Sequence, residues 1–200
     1  MSKKLPDKKL PDEKLLPAKV WTPDPRILLC PQVPKPLHQV CPRTILGQKW
    51  WDKTRKEAYA STDWHCEACG VFKLDAKGRP WLEGHELYKI NYLVGLMTYV
   101  RAIPLCHYCH NYIHVGRLNA LLEKGEIHHA KYVAIIQHGD AVLTSVGERR
   151  LEPLEQGKGK IAPWAKWRLL LEGKKYPPKF PNYEEWESYW KAQPTKEIDE

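Results

Sequence analysis

A chain of 200 residues, 42% hydrophobic with nine Trp and ten Tyr, holds enough apolar material for one good-sized domain or a smaller one with long arms. Its net charge of +8 favours a polyanionic partner, with nucleic acid the default. No apolar stretch approaches the ~20 residues that cross a membrane, and the start MSKKLPDKKLPDEKLLP lacks the apolar run of a secretory signal, so a cytoplasmic protein is expected.

The charge is uneven: residues 1–60 carry thirteen Lys/Arg against six Asp/Glu, and residues 183–200 carry two against six. The opening segment repeats KLPD and places Pro every five or six residues, which forbids helix and sheet interior. Residues 1–42 therefore read as an extended Pro/Lys-rich arm. Over 1–17 it is a solvated tail; over 18–42 it is either tail or a basic arm along a phosphate backbone. From Gly47 the stretch QKWWDKTRKEAYAST places Trp51, Arg55 and Tyr59 at four-residue spacing, an amphipathic helix with a basic face. Asp75–Gly78 is a turn signal. WLEGHELYKI reads as a strand with Trp81, Glu83, His85 and Leu87 on one face, and LMTYVRAI as a second strand returning antiparallel. HNYIHVGR begins as a helix that puts His110 and His114 on one side.

RLNALLEKGEI and HAKYVAIIQHGDAVLTSV then read as two short helices, the first ended by Gly125. LEPLEQGKGKIAP is a linker. The remainder carries Trp164, Trp167, Trp186 and Trp190 around a Pro-rich turn, with a helix from about Asn182. The expected organisation is an arm over 1–42, a central domain over 43–150, and a Trp-rich C-terminal lobe with an acidic tail over 151–200. The fold class is α+β.

Six cysteines in a reducing compartment read as metal ligands before disulfides. Cys66-Glu-Ala-Cys69 and Cys106-His-Tyr-Cys109 are two CxxC pairs with 36 residues between them. A two-residue gap lets both thiolates of a pair turn to one ion, and two pairs complete a tetrahedral structural Zn2+ site. Four thiolates leave no open position, so the chemistry must lie elsewhere. Cys30 and Cys41 fall outside the pattern and read as ordinary thiols. His107 reads as a surface residue or a support beside the knuckle, and His128, His129 and His138 lack spacing partners.

CEACG, LEGHELY and LCHYCHNYIH together resemble the HNH nuclease family in its zinc-stapled ββα-metal form, over residues 64–117. A branch with a His-Glu pair and a CHxxxHxG helix is matched at His85-Glu86 and His110 to Gly116. The resemblance implies an endonuclease that hydrolyses DNA phosphodiesters with one divalent cation, Mg2+ or another. Carried over by position, His85 is the general base and His110 a metal ligand. The family's usual acidic ligand would stand at Gly84, which leaves Glu83 and Glu86 as candidates, with Glu86 favoured by the His-Glu pair. The family's central Asn would fall near Arg101. Such enzymes are common in phages, restriction systems and mobile elements, hence in bacterial or phage-infected cells.

The residue types suit that chemistry, because a cation on the scissile phosphate offsets its negative oxygens and an imidazole near neutral pKa can deprotonate water. Catalysis is thus expected of His85, Glu86 and His110, with Glu86 and His110 holding the metal. His114 is a third ligand, a phosphate contact or a structural His. Lys53, Arg55, Lys56 and Arg117 are expected on flanking phosphates. The alternative is an HNH-fold zinc module that binds nucleic acid and has lost its catalytic metal.

Overall fold

The structure, a computed structural model, describes residues 21–150 and 161–192. The first twenty residues of the expected arm, most of the linker and the acidic end of the tail lie outside the described residues.

The two expected strands are β1 (Leu82–Asn91) and β2 (Leu96–Cys106), paired antiparallel from Leu82 opposite Cys106 to Asn91 opposite Leu96. A bulge between Leu87 and Tyr88 shifts the register. Before it the alternation is regular, so Glu83, His85 and Leu87 share one face while Gly84 and Glu86 share the other. The Gly84 face is covered by α2 (Gln48–Ser61), which follows the short α1 (Pro42–Leu46). A Cβ on Gly84 would meet both Arg55 Cβ and the Trp51 ring at 3.0 Å. A side chain there would require Arg55 and Trp51 of α2 to give by a few tenths of an ångström, which favours glycine at this position.

Beyond β2 the chain turns directly into α3 (His107–Ile113), with Cys106 as its N-cap, then into α4 (Val115–Glu123) and α5 (His129–Thr144). The core gathers Leu82, Ile103 and Leu105 from the hairpin with Tyr112, Ile113, Leu118, Ile135 and Leu143 from these helices. Helices α3 and α5 meet at Gly139, where an added Cβ would sit 2.1 Å from the fully buried Tyr112 ring. Tyr112 cannot swing away, because its hydroxyl donates to Asp140 at 2.6 Å and the Arg150 guanidinium lies 3.9 Å over its ring. Gly139→Ala is therefore expected to cost about 1–3 kcal/mol by overpacking, read as a melting temperature several degrees lower.

The later part of the expected arm is packed. Residues 25–29 and 35–37 form short 3-10 turns, each with a proline (Pro25, Pro36) within its first two residues, where a first turn tolerates it. Ile27 and Leu28 enter the main core, while Leu37 and Val40 join Met97, Trp167, Leu169 and Leu171 in a second cluster. Residues 161–192 likewise extend the central sheet instead of standing apart as a Trp-packed lobe. In that segment β3 (Arg168–Leu171) pairs parallel with β2 across Leu96–Thr98, and β4 (Lys174–Tyr176) pairs antiparallel with β3. Trp167 is buried under this junction. Then α6 (Tyr183–Lys191), capped by Asn182, leans on the N-terminal segment through a hydrogen bond from Trp186 Nε1 to His38 Nδ1 at 3.1 Å. The described residues thus form an α+β fold with a mixed four-stranded sheet, in the order β1-β2-β3-β4, and six α-helices. None of these helices is long and apolar enough to cross a membrane.

Candidate metal sites

The two CxxC pairs meet. One thiol sulfur from each of Cys66, Cys69, Cys106 and Cys109 lies within 4.8 Å of all the others, near enough to hold one metal ion. Local backbone does much of the positioning. The turn at 66–70 is closed by Gly70 N–H donating to Cys66 O at 2.8 Å, with Gly70 at φ +77°, a conformation that suits glycine. On the other side, Cys109 N–H points at Cys106 Sγ at 3.5 Å as the first turn of α3 forms. Cys66, Cys106 and Cys109 are almost wholly buried. Cys30 and Cys41 are free thiols away from this group.

His138, which has no spacing partner in the sequence, reaches the thiol group from α5. Its Nε2 is 3.3 Å from Cys109 Sγ and 4.0 Å from Cys106 Sγ. An N–H directed at a thiolate is the kind of outer contact that orients ligands and tempers their charge. Arg101, where the resemblance would place an asparagine, instead pairs in bidentate fashion with Glu67 inside the first CxxC turn. That pair ties β2 to the turn.

A second group forms from His85 on β1 with His110 and His114 at either end of the last turn of α3. One ring nitrogen of each lies within 4.8 Å of the other two, and the ring centroids are 4.7–5.4 Å apart. Burial, then repulsion from His110 and His114, depresses the His85 pKa well below that of an ordinary imidazole. Burial, then His110 and Arg117, lowers His114 to about 3. These two rings are therefore neutral at physiological pH and keep a lone pair to offer. His85 Nδ1 is a buried nitrogen with no hydrogen-bond partner, a cost that a bound cation would relieve.

The carboxylate beside this group is Glu83, and here the preference for Glu86 is corrected. Glu83 lies two residues before His85 on the same face, and its carboxylate accepts from His110 Nδ1 on one oxygen and from His107 Nδ1 at 2.7 Å on the other. Burial works to raise the Glu83 pKa, but the two imidazole contacts outweigh it and hold the group well below the usual carboxylate range. Glu86 is adjacent to His85 and so points to the opposite, α2-covered face. There burial raises its pKa, and it stands outside the histidine group. His107 is not a surface residue. It is buried, and its backbone carbonyl accepts from Asn111 Nδ2 at 2.8 Å.

With Nδ1 committed to Glu83, His110 keeps Nε2 for the group, and Glu83 fixes that tautomer. His85, expected as a base, and His110, expected as a ligand, stand with His114 in one group near enough to hold an ion.

A cavity of about 860 Å3 opens beside them, lined by His110, His114, Arg117, Arg79 and Lys131 among others. Of the four residues expected on phosphates, Arg117 lines this cavity. Lys53, Arg55 and Lys56 are carried by α2 on the far face of the hairpin, where Arg55 is engaged with Asp52 at 2.9 Å and Lys53 lies 3.9 Å from Glu57. No family model, curated protein or solved structure matches this chain.

Proposed function

We propose that this protein is a metal-dependent endonuclease of the zinc-stapled ββα-metal, or HNH, kind, which hydrolyses DNA phosphodiesters. The observation that carries the reading is the group His85, His110 and His114, three imidazoles within ligand distance at the edge of a cavity with basic walls. The resemblance of LEGHELY and LCHYCHNYIH to that family supports it, as does the strand-strand-helix frame around the group.

The thiol group is assigned to structural Zn2+. A four-thiolate zinc with Zn–S of about 2.3 Å has tetrahedral edges of about 3.8 Å, and Cys69 Sγ and Cys106 Sγ are 3.8 Å apart. The histidine group is assigned to a catalytic divalent cation held by His85, His110 and His114. Such an ion, when bound, supplies charge on the scissile phosphate and a more acidic water. Nitrogen donors favour a transition metal, and Mg2+, which prefers oxygen, is held more weakly by them.

The chain's own residues do the rest. Glu83 holds a proton on His110 Nδ1 and thereby aims Nε2, while His107, itself held by Asn111, anchors Glu83 from behind. Arg117 and Lys131 draw the flanking phosphates into the cavity. Glu83→Gln removes the charge while keeping the shape, and is expected to weaken divalent-ion binding at the histidine group by roughly 10–100-fold. Calorimetric titration, with zinc content measured on the same sample, checks this.

Nicking of supercoiled plasmid across several divalent ions tests the activity. A protein that retains the plasmid and leaves it supercoiled with every ion is a nucleic-acid-binding module instead.

A further inference from the structure

The cavity is not uniformly basic. Beyond the histidines it runs under the turn between α4 and α5, where Ile127 and Ile135 form a buried apolar floor and Glu126 lines the wall. The Glu126 side chain is only 11% exposed. Its Oε1 has no hydrogen-bond partner, and the nearest ammonium, Lys124 Nζ, is 4.0 Å away.

A buried carboxylate with one long ion pair and no hydrogen bond to that oxygen is poorly compensated. In a cavity meant for phosphates it is also misplaced, since it repels them. The carboxylate oxygen that faces the cavity can accept from a ligand that brings a hydrogen-bond donor to that wall. Because the last torsion of a glutamate is broad and two-fold, either oxygen can be presented.

The three features specify one chemistry: an anion at Arg117 and Lys131, a flat apolar body over Ile127 and Ile135, and an N–H donor at Glu126. We propose that the cavity takes one unpaired nucleotide next to the scissile phosphate, with the exocyclic amine of its base donating to Glu126. Carboxylates accept readily from cytosine N4, whereas the O4 of uracil or thymine would face the carboxylate as a second acceptor. A volume of about 860 Å3 falls within the range of pockets that enclose a small ligand. A base still paired and stacked cannot enter such a pocket, so the nucleotide is single-stranded or turned out of its helix. This inference rests on the nuclease reading for the placement of the phosphate.

The experiment titrates the full chain with dCMP and dUMP by calorimetry, with no divalent ion added, beside Glu126→Gln and Glu126→Ala. It then compares cutting of one oligonucleotide single-stranded and annealed. The wild type is expected to bind dCMP about tenfold or more tightly than dUMP, as befits one charge-assisted hydrogen bond. Both variants should lose most of that difference while melting normally. The single strand should be cut faster.

Equal binding of dCMP and dUMP, no binding of either up to millimolar concentration, or a preference that survives in both variants overturns the proposal. So does faster cutting of the annealed strand. If plasmid is nicked while the monophosphates bind alike, the nuclease reading stands and the base pocket falls. If nothing is cut yet dCMP is preferred through Glu126, the pocket stands and the nuclease reading falls.

Discussion

Serine at both Cys106 and Cys109 is expected to leave the chain without a cooperative thermal transition. The thiol group joins a turn at 66–69 to the junction of β2 and α3, and it lies at the centre of the main core with Cys66, Cys106 and Cys109 all buried. Structural zinc contributes an apparent 10–16 kcal/mol in small zinc domains, comparable to the ~5–15 kcal/mol of a whole domain's net stability. Removing two of four thiolates takes away most of that and leaves the buried Cys66 and half-buried Cys69 unable to hold the ion on their own. Circular dichroism during heating, run beside wild type treated with a strong zinc chelator, checks it. The two samples should look alike, and a double variant that melts like the untreated wild type would show that no metal holds this core.

His85→Ala is expected to abolish cutting, by roughly 10²–10³-fold or more, with the fold and the zinc intact. The substitution removes one of three donors from the histidine group and leaves Glu83 still bonded to His110 and His107. Two assignments of His85 make different predictions beyond activity. As a donor to the ion, its loss also weakens binding of the divalent cation. As a general base alone, its loss stops cutting and leaves that affinity unchanged. Its ring nitrogen lies within 4.8 Å of those of His110 and His114, so on the proposed function the affinity is expected to fall as well. Titration of wild type and variant with Mn2+ distinguishes the two.

Periodicity and ligand spacing made much of this architecture legible. The alternation in WLEGHELYKI placed β1 and the face that His85 shares with Glu83, and the paired CxxC motifs announced four thiols that do meet. The same alternation also carried the answer for the carboxylate, because residues two apart on a strand share a face and neighbours do not. Glu83 was therefore the side chain to expect beside His85, and the family's His-Glu pair drew attention away from it.

Other features left no local signal. His138 lies 29 residues from Cys109 and reaches it only because α5 crosses α3. The proline-rich run after Trp21 has an arm's composition, yet Ile27, Leu28 and Leu37 are apolar enough to be drawn into the core. The parallel pairing of β3 with β2 joins segments about 70 residues apart, a contact that depends on the whole fold and on no periodicity within either strand.

On the proposed function, one ion would fix the core, and a second, which three histidines would hold, would serve cleavage of the phosphodiester. The most direct measurement is nicking of supercoiled plasmid by wild type and His85→Ala, with zinc content determined on the same preparations. The predicted result is one zinc per chain in both, nicking by the wild type that appears on adding a divalent ion, and none by the variant. A wild type that carries its zinc, binds the plasmid and leaves it supercoiled with every divalent ion tried would contradict the proposed function.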